Sequence, residues 1–269
     1  MITDDAAKFC SEIKKHTNLI NPTVLSCVDS TNSYAKEILA DSTEGDCIFA
    51  LSQTGGRGRM GRSFFSYEGG IYMSLILKPN LTAESSLFIT TAAAVAVSRA
   101  IEKLFGKKTQ IKWVNDIYIE DKKVCGILTE GVIGEGGKLS GAVLGIGINL
   151  GAPKVFPEEI SAIADSVLEV EDNFELKAKL ISLIASRFFE IYNNPQSKDY
   201  MKEYRRRSYL DGKTVKFVRN GEPYTANVLG VTDDAGLKIL VDGEEKILSA
   251  GEVSVRQIIQ TRTSLKGQF

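Results

Sequence analysis

The sequence predicts an α+β protein: an antiparallel or mixed sheet with helices, followed by a small all-β barrel. Three observations carry this. Between residues 110 and 150, short strands follow one another through turns with no helix between them, the pattern of an antiparallel or mixed sheet and not of a doubly wound one. Two long helical stretches, 84–105 and 174–193, supply the apolar faces such a sheet must bury. From Gly212 onward the chain changes to VKFV, YTANVLGV, LKILV, EEKILS and EVSVR, separated by NG, DDAG and DG turns, a strong hairpin signature.

The elements are expected in the following order. Residues 4–16 form a helix and TVLSCV (23–28) a strand. Asp29 or Ser30 then caps a helix in TNSYAKEILAD, where Tyr34, Ile38 and Leu39 recur at helical spacing. DCIFALS (46–52) is a strand, and QTGGRGRMGRSFFS (53–66) is the least regular segment of the chain. GIYMSLIL (70–77) is a strand ended by Pro79, and the Ala- and Val-rich helix 84–105 is expected to be buried on most sides. Three segments make the meander: TQIKWVNDIYIE, KVCGILTEGVIG after a turn at Asp121-Lys122, and KLSGAVLGIGINL after a Gly-rich turn at 134–137. Helices at 174–193 and 197–209 follow. The tail reads as an SH3-like barrel, which gives domains 1–210 and 211–269 with the boundary between 205 and 212.

Composition removes several function classes. A chain of 269 residues that is 43% apolar and 25% charged has a globular balance. Its net charge of −1 provides no global field for nucleic acid or an acidic membrane. A single histidine, His16, excludes any site that needs two. Cys10, Cys27, Cys47 and Cys125 are far apart and form no CxxC pair, which suits a reducing compartment. The N-terminus MITDDAAKF does not read as a signal peptide, and no membrane span is visible, so a cytoplasmic location is expected.

The loop GGRGRMGR (55–62) brings four glycines and three arginines together. Glycine allows close backbone approach, and Arg57, Arg59 and Arg62 offer forked donors to phosphate or carboxylate. A solvated RGG-like loop touching RNA is the other reading; placement between two core strands favours a ligand site. The loop lacks the Gly-Lys-Ser/Thr ending of a P-loop. Lys123 reads either as an exposed strand end or as an ammonium at a pocket rim; strict alternation puts it on the face of Cys125 and Ile127, opposite Gly126. In KWVND, Lys112, Asn115 and Asp116 lie near the same sheet end, and Asp116 could orient a metal-bound phosphate, hold a ribose hydroxyl or cap a turn. GIGINLG (145–151) has the wrong spacing for a dinucleotide fingerprint; Asn149 at its end is a candidate base- or phosphate-contacting amide. Arg205, Arg206 and Arg207 read as a solvated helix face that needs no partner.

Together DSTN (29–32), QTGGRGRMGR (53–62), KWVND (112–116), KVCGIL (123–128), GIGIN (145–149) and GEVSVR (251–256) resemble, in order and spacing, the biotin protein ligase family of BirA type. The resemblance implies a mixed central sheet flanked by helices with a C-terminal SH3-like domain. It also implies a two-step reaction: biotin and MgATP give biotinyl-5′-AMP, and the acyl group passes to one lysine of a biotin carboxyl carrier domain. Carried over residue by residue, Ser30, Thr31, Asn32, Gln53, Gly56, Arg57, Gly58, Arg59, Lys123 and Gly126 bind biotin. Arg59, Arg62, Asn115, Lys123 and Asn149 bind the nucleotide, and Lys123, Arg59 and Asp116 are catalytic. No metal site of the protein's own is implied; Mg2+ comes with ATP.

The chain departs from the family pattern in three ways. Fewer than 30 residues precede Asp29, too few for a winged-helix domain, so no DNA partner is expected, and the chain is expected to be a monomer or weak homodimer. Val114 replaces the usual proline of KWPND, and Met60 and Phe64 stand where some members carry Arg and Trp. A lipoate or octanoate ligase of the same fold is the alternative reading. An RNA-binding module is disfavoured because residues 211–258 hold eight acidic and six basic residues, a net −2.

Overall fold

The structure, a computed structural model, describes residues 3–79, 86–133, 139–151, 156–169, 173–219, 222–249 and 256–257. The expected turns at 134–137 and at the NG pair, and all of GEVSVR but its last residue, lie outside the described residues. Chain contacts divide the protein into two units, Met1–Tyr209 and Leu210–Phe269.

The first unit is built on a seven-stranded sheet in the order β1-β2-β3-β7-β6-β5-β4. Its strands are β1 (Asn21–Val28), β2 (Asp46–Gln53), β3 (Ile71–Leu77), β4 (Gln110–Lys112), β5 (Asp116–Ile119), β6 (Lys122–Ile133) and β7 (Leu139–Ile148). Only β1 and β2 run parallel; the other neighbours are antiparallel, so the sheet is mixed. The parallel pair needs a crossover, and α2 (Thr31–Ile38) with a 3₁₀ turn at Leu39–Asp41 provides it. The turn before β6 is at Glu120-Asp121, one residue earlier than expected, because Glu120 takes the positive φ of 49°.

The two faces of the sheet are covered differently. α1 (Asp4–His16), α3 (Ser86–Phe105) and α5 (Phe174–Tyr192) pack on one face. α1 carries Asp4 and Asp5 in its first turn and Lys14, Lys15 and His16 in its last, which complements the helix dipole. It buries Ala6, Phe9 and Ile13, and the Phe9 ring meets Phe49 of β2 and stacks on Phe174 of α5 at 5.1 Å. Ala92 to Val97 of α3 are fully buried, as an apolar stretch on most sides requires. On the other face α2 buries Ala35 with Leu39, Ile48, Ile76 and Val143. That packing reaches from β2 and β3 to Val143 of β7, and the Gly126–Gly147 stretch beside it is met by Phe64 of the loop 54–66.

β6 departs from simple alternation. Ile117 faces Cys125 but Tyr118 faces Lys123, which leaves Val124 as a one-residue bulge. The bulge corrects the expected placement of Lys123. Cys125 stays in the buried helix-covered layer, while the Lys123 side chain turns to the face of Asp116 and Gly126.

A second correction concerns Arg207, which is no solvated charge. The last residue beyond α6 (Asp199–Arg206), it has a side chain only 9% exposed and ion-paired to both Glu102 of α3 and Glu203 of α6. Arg207 donates to Glu102 Oε2 at 2.9 Å and to Glu203 Oε1 at 2.7 Å, and Arg99 takes the other Glu203 oxygen at 2.8 Å. The backbone after α6 also joins β4, through Ile111 N to Arg207 O and Tyr209 N to Ile111 O. Burial raises the pKa of Glu102 and Glu203, but hydrogen bonds from Arg207 and Arg99 outweigh it and hold both below the ordinary 4.5. A depressed carboxylate stabilises above its unfolded pKa and loses that contribution as pH falls through the folded one. Arg207→Ala is therefore expected to cost about 3 kcal/mol near neutral pH, since it strands the partly buried Glu102 carboxylate and leaves Glu203 with Arg99 alone. Part of that deficit closes as pH drops below 4.5; urea melts at pH 7 and pH 4 measure both, and an unchanged midpoint at pH 7 contradicts the buried network.

The second unit is a five-stranded antiparallel sheet in the order β11-β10-β9-β8-β12, from β8 (Thr214–Arg219), β9 (Glu222–Val231), β10 (Leu237–Val241), β11 (Glu244–Leu248) and β12 (Arg256–Gln257). Its inward residues Val215, Phe217, Ala226, Val228, Leu237, Ile239 and Leu248 are buried. The DG turn at 242–243 uses positive φ at both residues, 53° and 81°, the geometry of a type I′ hairpin.

Candidate active site

The loop expected to be irregular is a small hairpin. Gly58 N donates to Arg62 O at 2.7 Å and Phe64 N to Gly56 O at 2.8 Å, with an Arg57–Ser63 bridge between them. Its tip is a 3₁₀ turn, Arg59–Gly61, where Met60 and Gly61 take φ of 56° and 73°. Gly56 is required by contact: a Cβ there would lie 2.4 Å from Phe64 O and 2.5 Å from Ser66 Oγ.

The hairpin delivers its Phe64 ring to the uncovered part of the sheet. A Cβ on Gly147 would lie 2.7 Å from that ring, and one on Gly126 would lie 3.1 Å away. Gly126 and Gly147 pair directly across β6 and β7, so they make one flat floor. Tyr72 of β3 meets the Phe64 ring edge-on at 6.4 Å, and Lys123 Nζ lies 5.7 Å from its centre. Lys123 Nζ is 2.8 Å from Asp116 Oδ1, with both side chains under a third exposed.

Asn115 ties the hairpin to the meander. It donates through Nδ2 to Ile127 O at 2.8 Å and accepts from Arg59 at Oδ1, 3.1 Å away. Burial draws the Arg59 guanidinium below its ordinary pKa, against the opposing pull of Asp116. Arg57 is exposed and reaches Ser33 Oγ at 3.5 Å; Arg62 is exposed on the descending strand of the hairpin.

The structure thus brings Arg59, Asn115, Asp116, Lys123 and Gly126 together. It handles the other expected residues differently. Ser30 is the N-cap of α2, accepting from Ser33 N, and is 2% exposed. Thr31 and Asn32 are buried and bonded within the protein, to Gln53, Ser74 and Glu130. Asn149 is also buried; its Nδ2 donates to Asp165 O at 3.1 Å. It pins a strap whose backbone also brackets Lys123, with Lys123 N on Ile163 O and Asp165 N on Lys123 O. Sequence reasoning missed Ser74, Tyr72, Glu130 and the floor role of Gly147. A serine inside the apolar strand GIYMSLIL was the one available signal.

Chemically, a guanidinium, an ammonium and a Gly-rich hairpin surround a flat floor beside a single carboxylate. Such a site can hold two anions against each other. Among the described residues no group of three or more His, Cys, Asp or Glu side chains could hold a metal.

These features define an α+β protein with a glycine-floored sheet face, flanked by Lys123 and Asp116, under an Arg/Gly hairpin. Residues 24–149 match the Biotin/lipoate A/B protein ligase family, and the chain carries a domain of that family. It is 40% identical over 177 residues to the "Bifunctional ligase/repressor BirA" of Bacillus subtilis (strain 168), covering 65% of this chain and 53% of the relative. It is 28% identical over 245 residues to the "Biotin--[acetyl-CoA-carboxylase] ligase" of Mycobacterium tuberculosis, covering 85% and 88%. Among solved structures, the biotin protein ligase from Aquifex aeolicus in complex with biotin and ATP superposes with a TM-score of 0.75 at 28% identity, covering 88% of this chain and 99% of that one. The chain spans about half the length of the first of these relatives, 53%.

Proposed function

We propose that this chain is a biotin protein ligase that joins biotin to ATP as biotinyl-5′-AMP, releases pyrophosphate, and passes biotin to a lysine of a carrier domain. The observation that carries the reading is the convergence of Arg59 and Lys123 with Asp116 on one glycine-floored face. Attack of a carboxylate on the α-phosphate brings two anions together, and the cost falls when fixed positive charge surrounds them and water is excluded. Lys123 meets the carboxylate and phosphate oxygens; Asp116 holds its ammonium in place at 2.8 Å. Arg57, Arg59 and Arg62 close over the product from the hairpin, and Asn115 anchors that closure through Arg59. The likeness to a ligase solved with biotin and ATP supports the same reading.

The partner in this proposal is the carrier domain of a biotin-dependent carboxylase, and the location cytoplasmic. No helix among the described residues is long and apolar enough to cross a membrane. Domains 1–210 and 211–269 are proposed as catalytic and accessory respectively. The test is pyrophosphate release with biotin, lipoate and octanoate side by side. Release with biotin at least tenfold above the other two is expected; a preference for lipoate or octanoate assigns the chain to the other branch of the family.

A further inference from the structure

Lys36, Glu130, Asn32, Ser74, Thr31, Gln53, Ser66 and the Phe64 carbonyl form one hydrogen-bonded chain from α2 to the base of the hairpin, in which the Thr31 backbone N–H makes the link to Gln53. Three of its members are almost wholly buried: Ser74 at 0%, Thr31 and Asn32 at 4%. In such a chain, donors and acceptors must alternate, and the fixed groups decide which way.

Two groups on β6 fix one end. Asn32 Nδ2 lies 3.3 Å from Leu128 O and 2.9 Å from Glu130 Oε2, neither of which can donate. The amide nitrogen must face β6, and Oδ1 therefore faces Ser74 Oγ, 2.6 Å away. Ser74 has one hydrogen, and an amide oxygen can only accept, so that hydrogen goes to Asn32. The Ser74 oxygen is then left to accept from Thr31, whose hydroxyl oxygen is 2.8 Å away. At the other end the Thr31 backbone N–H donates to Gln53 Oε1 at 2.8 Å. That sets the Gln53 amide: Nε2 faces Ser66 Oγ at 2.8 Å, and Ser66 passes its own hydrogen to Phe64 O at 3.0 Å. Burial favours a neutral Glu130, but hydrogen bonds from Lys36 and Asn32 prevail and keep it ionised, an acceptor only. Gly145 admits the arrangement, since a Cβ there would lie 2.1 Å from Asn32 Oδ1.

We propose that Ser74 and Glu130 are positioning residues: they lock the Asn32 amide and, through Ser74, hold the Thr31 hydroxyl hydrogen away from Gln53 Oε1, and so fix the donor and acceptor pattern offered to the polar head of the acid. This rests on the acid-activating function proposed above. The pattern matters for an acid whose far end forms hydrogen bonds and is indifferent to one whose far end is hydrocarbon. Selectivity for biotin over octanoate therefore depends on two residues that sit behind those expected to touch the acid.

The test pairs Ser74→Ala with Glu130→Leu and Glu130→Gln. Ser74→Ala and Glu130→Leu are expected to raise KM for biotin about tenfold, the scale of one lost hydrogen bond. kcat should stay within about twofold, and the biotin-to-octanoate preference should fall by about the KM factor. Glu130→Gln keeps an acceptor oxygen for Asn32 and should restore most of the KM. An independent readout needs no turnover: the side-chain N–H₂ resonances of Asn32 and Gln53 in selectively ¹⁵N-labelled protein. Both should shift and broaden in Glu130→Leu and recover in Glu130→Gln. Unchanged resonances in a folded Glu130→Leu protein overturn the proposal, as does a KM unmoved in both removal variants. A wild-type protein that activates no acid overturns the functional reading instead, and the resonances then decide on the locking alone.

Discussion

Lys123→Ala is expected to slow biotinyl-AMP formation by about 10²–10³-fold, the usual loss when about 3–4 kcal/mol of charge stabilisation leaves a developing transition state. Biotin binding should weaken far less. The geometry motivates the split: the ammonium is held by Asp116 at 2.8 Å and reaches the glycine floor by its tip only. Removing it leaves Gly126, Gly147 and the buried chain around Thr31 in place. Single-turnover adenylation and equilibrium biotin binding separate the two effects. Wild-type adenylation in a folded Lys123→Ala protein removes Lys123 from the chemistry.

Arg59→Gly should do something different. Arg59 bonds Asn115 from the tip of the hairpin, so its loss unties the hairpin while the pocket floor stays. The free segment, with four glycines between 55 and 61, is expected to be mobile until ligand contacts order it, because fixing glycine backbone costs more entropy than any other residue. Biotinyl-AMP should then escape faster and label bystander lysines, with adenylation reduced less than in Lys123→Ala. Streptavidin blots of the variant mixed with an unrelated protein show this directly. Labelling confined to the carrier domain, with an unchanged intermediate off-rate, means the hairpin is not the cover over the product.

Much of the fold was legible because the strands of this chain are punctuated by turn residues and its helices by caps. Ser30 caps α2 and Pro79 follows β3, both as read from local sequence. The mixed sheet followed from the lack of helices between 110 and 150, and β4 to β7 form that meander. What was not legible depends on distant partners. Arg207 looks solvated in a run of three arginines, and only the packing of α6 on α3 brings Glu102 to it. That Ser74 and Glu130, 42 and 98 residues away, hold the Asn32 amide is visible only once the strands are assembled. The hairpin looked shapeless because its pairing is between backbone groups, which no side-chain pattern announces.

The bulge at Val124 has a consequence for how KVCGIL should be read. In a regular strand, two residues three apart point to opposite sides, so a lysine and a glycine at that spacing could not serve one ligand. Here they do meet, with Lys123 Nζ 3.2 Å from where a Gly126 Cβ would be. The spacing is thus a record of an inserted residue: the interval between the charge and the floor is odd because the backbone skips a beat between them. Deleting Val124 would restore an even count and a regular ladder with Tyr118, keeping Lys123 on the face of Gly126 with Cys125 opposite it. Regularising the strand with Val124 retained would instead send either the lysine into the apolar layer or Cys125 out of it. Any engineering of this strand has to treat the two intervening positions as one geometric unit whose length, more than whose side chains, keeps catalytic charge and binding surface in phase.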